Sequence, residues 1–308
     1  MPPTLLKTAP APAPLAGLEP LTAIKSRWPT IIGAVLTVLM VAGLARQLFA
    51  SGLDGLTRMA PASPLFYLFF ALLYMSLPTG DFLIFRRLWG IPADGLVALI
   101  KKRIANEVLF GYSGEAYFYA WARARATLVA TPFGAVKDVT ILSAIAGNVI
   151  TLVMIAVALP LGRGLLSPEQ IRTGLLSTAL LAAISLPFLL FSRRVFSLPR
   201  GALWAVFAIH CVRLLAGTIF IALAWHMALP DVPLGVWLFL AAARLLVSRL
   251  PLVPNKDLLF ANFAIMLIGG DRALTDLVAF TAALTLVAHV AFIIAFGAWG
   301  VVTRSRPW

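Results

Sequence analysis

Six stretches of this chain, roughly 30–50, 63–85, 133–160, 173–192, 201–226 and 275–303, are each long and apolar enough to cross a lipid bilayer. A helical crossing takes about 20 mostly apolar residues, and no other feature limits the fold as sharply. Backbone N–H and C=O groups in hydrocarbon must find partners within their own segment, so runs of this kind are helices. They are too long and continuous for the roughly 10-residue alternation of an outer-membrane barrel strand. Composition agrees: 61% of the 308 residues are hydrophobic, 12% are charged, and the mean hydropathy is +0.96. The expected fold is an all-α polytopic integral membrane protein with about six transmembrane helices.

Two further stretches, about 95–125 and 234–270, are hydrophobic but interrupted by charge, glycine and proline. Interrupted backbone at membrane depth is tolerated only where protein or water satisfies the freed groups. Both are therefore expected to be re-entrant hairpins. Residues 1–29 include the Pro/Ala-rich run "APAPAPLAGLEP", which cannot bury a core and reads as a disordered cytoplasmic tail rather than a secretory signal. Residues 30–303 form one transmembrane domain, and 304–308 a second cytoplasmic tail. Most lysines and arginines then fall on the side of both termini, which makes that side cytoplasmic; the expected host is a bacterial inner membrane.

The net charge of +13 is explained by basic loops beside anionic lipid. Membrane phospholipids are the expected partners, with a homo-oligomer or a membrane complex partner left open, and nucleic acid is not expected. Cys211 is the single cysteine, so no intramolecular disulfide can form. His210, His226 and His289 are scattered, and neither a metal site nor a cofactor is expected.

The two halves share a layout. Residues 30–160 read span, span, broken stretch, span, and so do residues 173–303. At an offset of 142, Glu115 falls on Asp257, Ser113 on Asn255 and Phe110 on Leu252. Three crossings per half is an odd number, which inverts the second half relative to the first. Inverted repeats with interrupted helices at mid-depth are a transporter design.

Candidate site residues cluster in the broken stretches. In "LIKKRIANEVLFGYSGEAYFYAWAR", Lys101, Lys102 and Arg103 either clamp an anionic headgroup at the inner surface or serve as positive-inside markers. Glu107 and Glu115 are carboxylates in hydrophobic sequence, a placement that usually faces a cavity or a cation. Glu115 also suits the first turn of a helix beginning after Gly114. In "SRLPLVPNKDLLFANF", Pro251 and Pro254 end one half-helix and Asn255, Lys256 and Asp257 can open the next. Arg249, Lys256 and Asp257 then sit at a tip suited to phosphate, unless Lys256–Asp257 or Arg249–Glu107 ion pairs merely lock it. Arg213, mid-span, is expected to face the bundle interior beside His210. Lys137-Asp138 opens a span, and Asp138 is a candidate cap. "GYSGE" lacks the last glycine of a nucleophile elbow.

The runs Asn106-Glu-Val-Leu-Phe-Gly-Tyr-Ser-Gly-Glu115 and Leu250-Pro-Leu-Val-Pro-Asn-Lys-Asp257 resemble the membrane region of the lysylphosphatidylglycerol synthase/flippase family. That family carries an N-x-x-x-P-x-R-x-G-E-like motif in its first hairpin and L-P-x-x-P-G-G-x-G-x-x-E in its second. Asn106, Gly114 and Glu115 match the first, and Leu250, Pro251 and Pro254 the second. Tyr112 stands near a position that is usually basic, Asn255-Lys256 replace the Gly-Gly pair, and Lys137-Asp138 stand where Glu-Arg is usual. The resemblance implies a lipid-translocating domain without the soluble aminoacyl-transferase domain; taken with the residue patterns above, the expected substrate-binding residues are Asn106, Tyr112, Gly114, Glu115, Arg213, Arg249, Pro251, Pro254, Asn255, Lys256 and Asp257. The expected function is flippase-like transport of a polar, anionic or modified lipid. A non-transporting membrane subunit and a headgroup-modifying enzyme are the alternatives.

Overall fold

The computed structural model describes residues 60–109, 112–124, 132–158, 196–249 and 272–304, with a few positions besides, among them 256–257, 259–261 and 264. Every regular element among them is an α-helix: α1 (Pro64–Trp89), α2 (Gly95–Val108), α3 (Ser113–Ala124), α4 (Pro132–Ala158), α5 (Arg200–Ala228), α6 (Leu234–Val247) and α7 (Arg272–Arg304). Four of these, α1, α4, α5 and α7, are long and apolar enough to cross a membrane. They answer to four of the six expected spans. The other two, 30–50 and 173–192, lie outside the described residues, as do Pro251, Pro254 and Asn255.

The polarity of the bundle is that of a protein embedded in lipid. Large apolar side chains point outward, with Leu68 52%, Val212 67% and Ile294 65% exposed. Asp81, Lys102, Arg103, Asp138, His210 and His289 are buried. In hydrocarbon that distribution is favourable, because ionisable groups face the interior and pair there.

Helix α1 begins at proline and ends at Gly90, whose left-handed φ of 65° lets its N–H return to the Arg86 carbonyl. Pro78 lies inside α1. It has no N–H to donate to the carbonyl four residues earlier, and that is Tyr74, whose oxygen instead accepts a hydrogen bond from the Arg103 guanidinium of α2. The acceptor that Pro78 frees in one helix thus becomes the docking point of another.

The first broken stretch is a pair of helices, α2 and α3, packed on one another across a short break. Tyr112 holds the turn at a φ of 77°, a conformation uncommon for a residue with a side chain. The Ser113 hydroxyl donates to the Ala105 carbonyl at 2.7 Å, and the Gly114 N–H donates to Asn106 Oδ1 at 2.7 Å. Asn106 therefore satisfies one of the free N–H groups that open α3. A Cβ at Gly114 would run into the Lys102 backbone carbonyl and meet Asn106 Oδ1 at 2.9 Å. Asp138 does not cap its own helix: its Oδ2 accepts the N–H groups of Ser197 (2.6 Å) and Leu198 (2.7 Å) and ties α4 to the approach of α5.

These contacts predict that Gly114→Ala destabilises by about 1–3 kcal/mol through overpacking against backbone. Gly201, with nothing within 4 Å of its added Cβ, is the control, and alanine there holds or raises stability. Thermal unfolding of the detergent-purified chain by tryptophan fluorescence measures both. An unchanged midpoint for Gly114→Ala would show that the α2–α3 contact is not as tight as described.

Candidate functional site: a charge-lined cavity inside the bundle

Arg213 is 13 residues into the 29-residue α5, or about 20 Å from its start at 1.5 Å per residue. A cation at that depth cannot reach either membrane surface, and the chain builds its surroundings accordingly. Arg213 Nε donates to His210 Nδ1 at 2.9 Å, and its Nη2 donates to Ser143 Oγ at 2.7 Å. His210 Nε2 lies 3.2 Å from the Val139 carbonyl, which can only accept. With Nε2 donating and Nδ1 accepting, His210 is the neutral imidazole that orients Arg213. The arginine stem lies on Gly80 of α1, where an added Cβ would come within 2.5 Å of Arg213 Cδ.

Arg213 borders a cavity of about 330 Å³ whose wall takes side chains from α1, α2, α3, α4, α5 and α6 together with Arg249, Lys256 and Asp257. That space corresponds to about ten water molecules at 30 Å³ each. Asn106, Tyr112, Glu115, Arg213, Arg249, Lys256 and Asp257 from the sequence-derived set all reach it. Gly114 sits beneath it as a packing position.

Four ion pairs, two of them sharing Lys102, occupy part of the wall. Lys102 Nζ lies 2.7 Å from Asp81 and 3.3 Å from Glu115. Burial alone would favour neutral Lys102, but these two carboxylates outweigh it and raise its pKa. Arg103 Nε donates to Glu107 at 2.8 Å, and Arg244 Nη2 lies 2.7 Å from Asp257. Lys102 and Arg103 are each only 6% exposed. The hydrophobic spacing of α2 turns them inward, whereas Lys101 is half-buried with its ammonium 5.8 Å from the Phe296 ring. Neither locking pair weighed from the sequence forms: Glu107 takes Arg103, and Asp257 takes Arg244.

A closed ring of hydrogen bonds secures one side. Tyr74 Oη meets His289 Nδ1 at 2.7 Å, His289 Nε2 donates to Glu107 at 2.9 Å, Arg103 binds Glu107, and Arg103 returns to the Tyr74 carbonyl. The ring joins α1, α2 and α7.

Arg249 and Lys256 stand apart. Arg249 donates to Ser248 Oγ through Nε (3.1 Å) and Nη2 (2.9 Å), and Lys256 donates to the Ser248 carbonyl at 2.8 Å. Neither meets a carboxylate among the described residues, nor does Arg213. Burial first, and the neighbouring Arg213 charge second, pull Arg249 down to about 10. Burial and then Arg249 lower Lys256 likewise. Arg249 lies over Gly147, whose missing side chain makes room for the guanidinium.

Asp81 escaped the sequence reading, although a carboxylate three residues after Pro78 in an apolar helix was a signal for it. Tyr74, Ser143 and Ser248 carried no such mark. Among the described residues no group of three or more His, Cys, Asp or Glu is placed to hold a metal ion. Comparison with protein-family models, curated proteins and solved structures returns no match for the chain.

Removing Lys102 alone strands two carboxylates, which predicts that Lys102→Met lowers stability by about 3–5 kcal/mol, as for a broken buried pair. Adding Asp81→Asn recovers part of that loss. Thermal melts of both single variants and the double variant measure the coupling, and additive effects would mean that the pair contributes nothing.

Proposed function

We propose that this protein is a flippase-like transporter that moves a lipid with a polar headgroup across a bacterial inner membrane, with both termini cytoplasmic. The observation that carries the reading is the charged cavity at mid-depth in an apolar bundle. Acyl tails can stay in the bilayer while a headgroup crosses among hydrogen-bonding groups. In this reading α2–α3 and the stretch from α6 through Asp257 are re-entrant hairpins of an inverted repeat. The 142-residue offset favours it, since the pair Lys102–Glu115 recurs as Arg244–Asp257, and the contact Glu107–His289 as Arg249–Gly147. The resemblance of the two motif runs to the lysylphosphatidylglycerol synthase/flippase family points the same way.

A second reading, a non-transporting subunit of a larger membrane complex, draws on the ion pairs that close part of the wall. An enzyme is less favoured: the Tyr74–His289 pair is a close hydroxyl and base, but neither residue lines the cavity.

Reconstituted in proteoliposomes with fluorescent lipids of several headgroup classes, the wild type is expected to speed redistribution of at least one class. Lys256→Ala and Glu115→Ala should slow it about tenfold or more, the loss of roughly one charged contact at 1.4 kcal/mol per decade. No acceleration for any class by folded wild-type protein would overturn the transporter reading and leave the subunit.

A further inference from the structure

The cavity wall carries six cationic side chains and four carboxylates, an excess of two positive charges. The excess is not spread evenly. Lys102, Arg103 and Arg244 each have a carboxylate within 3.3 Å, whereas Arg213, Arg249 and Lys256 have only neutral hydrogen-bond partners among the described residues, with Asp81 and Glu115 acting on Arg213, and Glu107 on Lys256, from farther away. Uncompensated charge in a low-dielectric site is costly unless an anion supplies the balance.

The offset between the halves locates the imbalance. Glu107 of the first half faces His289 and receives its N–H at 2.9 Å. The equivalent positions are Arg249 and Gly147, and there the facing side chain is absent. One arm of the pseudo-symmetric arrangement is complete within the chain, and the other presents a guanidinium with no charged partner. Ser143, which holds Arg213, keeps hydroxyl capacity on the same wall, whereas the Ser248 hydroxyl is used up by the Leu245 carbonyl and the two Arg249 donors.

We propose that Arg213, Arg249 and Lys256 form a binding site for a phosphate group carrying two negative charges, a phosphate monoester or free phosphate rather than a phosphodiester. Arginine offers paired N–H donors that match two phosphate oxygens, and lysine adds a point charge. A dianion balances the excess of two, while a phosphodiester leaves one charge unmet. Glu115 supplies the competing outcome: its Oε2 has no hydrogen-bond partner among the described residues, and a zwitterionic headgroup would place an ammonium there. The inference rests on the same cavity as the transporter reading and names what enters it.

Calorimetric titration of the full chain in detergent with methyl phosphate, dimethyl phosphate and inorganic phosphate tests the charge requirement. Competition by phosphatidic acid, phosphatidylglycerol and phosphatidylethanolamine in nanodiscs tests the source. Methyl phosphate is expected to bind at least tenfold more tightly than dimethyl phosphate, and Lys256→Met to weaken it at least tenfold. Lys256 is half-buried and Lys256→Met keeps the aliphatic stem, so the fold tolerates the change; Arg249→Lys, which retains charge but not the fork, should fall between. Competition by phosphatidic acid assigns the phosphate to a lipid, and its absence with inorganic phosphate still bound assigns it to the free ion. Both outcomes support the proposal. Equal affinity for the two methyl esters, no effect of Lys256→Met, or preference for phosphatidylethanolamine would overturn it. Dianion binding without lipid redistribution would sink the transporter reading alone, and redistribution without dianion preference would sink this inference alone.

Discussion

The hydrogen bond from Arg103 to the Tyr74 carbonyl is the contact on which the rest of the site depends. Pro78 makes it necessary, because a proline inside a helix in hydrocarbon leaves an acceptor that water cannot reach. An arginine answers it, and an arginine brings a charge that must be met in turn. Glu107 meets it, His289 donates to the second oxygen of Glu107, and Tyr74 closes the circuit through its hydroxyl. One missing N–H thus recruits three helices into a single network. Such a network is stable only when each member is satisfied, which makes the junction of α1, α2 and α7 rigid by construction.

Rigidity on that side gives the cavity a fixed wall. Helices in lipid gain little from hiding apolar surface from one another, so close approach over small residues and interior hydrogen bonds hold them together. Gly80 admits the Arg213 stem, Gly147 admits the Arg249 guanidinium, and Gly114 brings α3 against the Lys102 carbonyl. In each case the glycine serves a charged residue or its backbone. Small residues here make room for charges as much as for helix contacts, and the polar interior follows from that use.

Much of the architecture is legible in the sequence. Length and hydropathy mark the four described spans within a few residues, and the interruption near Tyr112 and Ser113 marks the α2–α3 break, because local chemistry decides both. The partners of the charges are less legible. Lys101, Lys102 and Arg103 look alike as a basic run, but only the helical turn of α2 decides that Lys102 and Arg103 point inward while Lys101 meets Phe296. Asp81 was hidden by the apolar residues around it. Pairing is a tertiary property: Arg249 and Glu107 were plausible partners by charge, and the bundle instead supplies Arg103 four residues away on the same helix.

The two halves of the chain treat charge in opposite ways. Around α2 the carboxylates Glu107 and Glu115 are met by Arg103, His289 and Lys102, so that region is close to neutral and held by its own bonds. Around the end of α6, Arg244 is neutralised by Asp257, but Arg249 and Lys256 hang on the hydroxyl and carbonyl of Ser248. Neutral partners fix the direction of a cation without cancelling its charge. A wall that orients cations on one side and pairs its charges on the other favours an anion at the first and offers little to hold one at the second. Under the proposed transporter function, that asymmetry is more useful than a cavity charged throughout, because entry and departure are set by a few bonds rather than by the whole field.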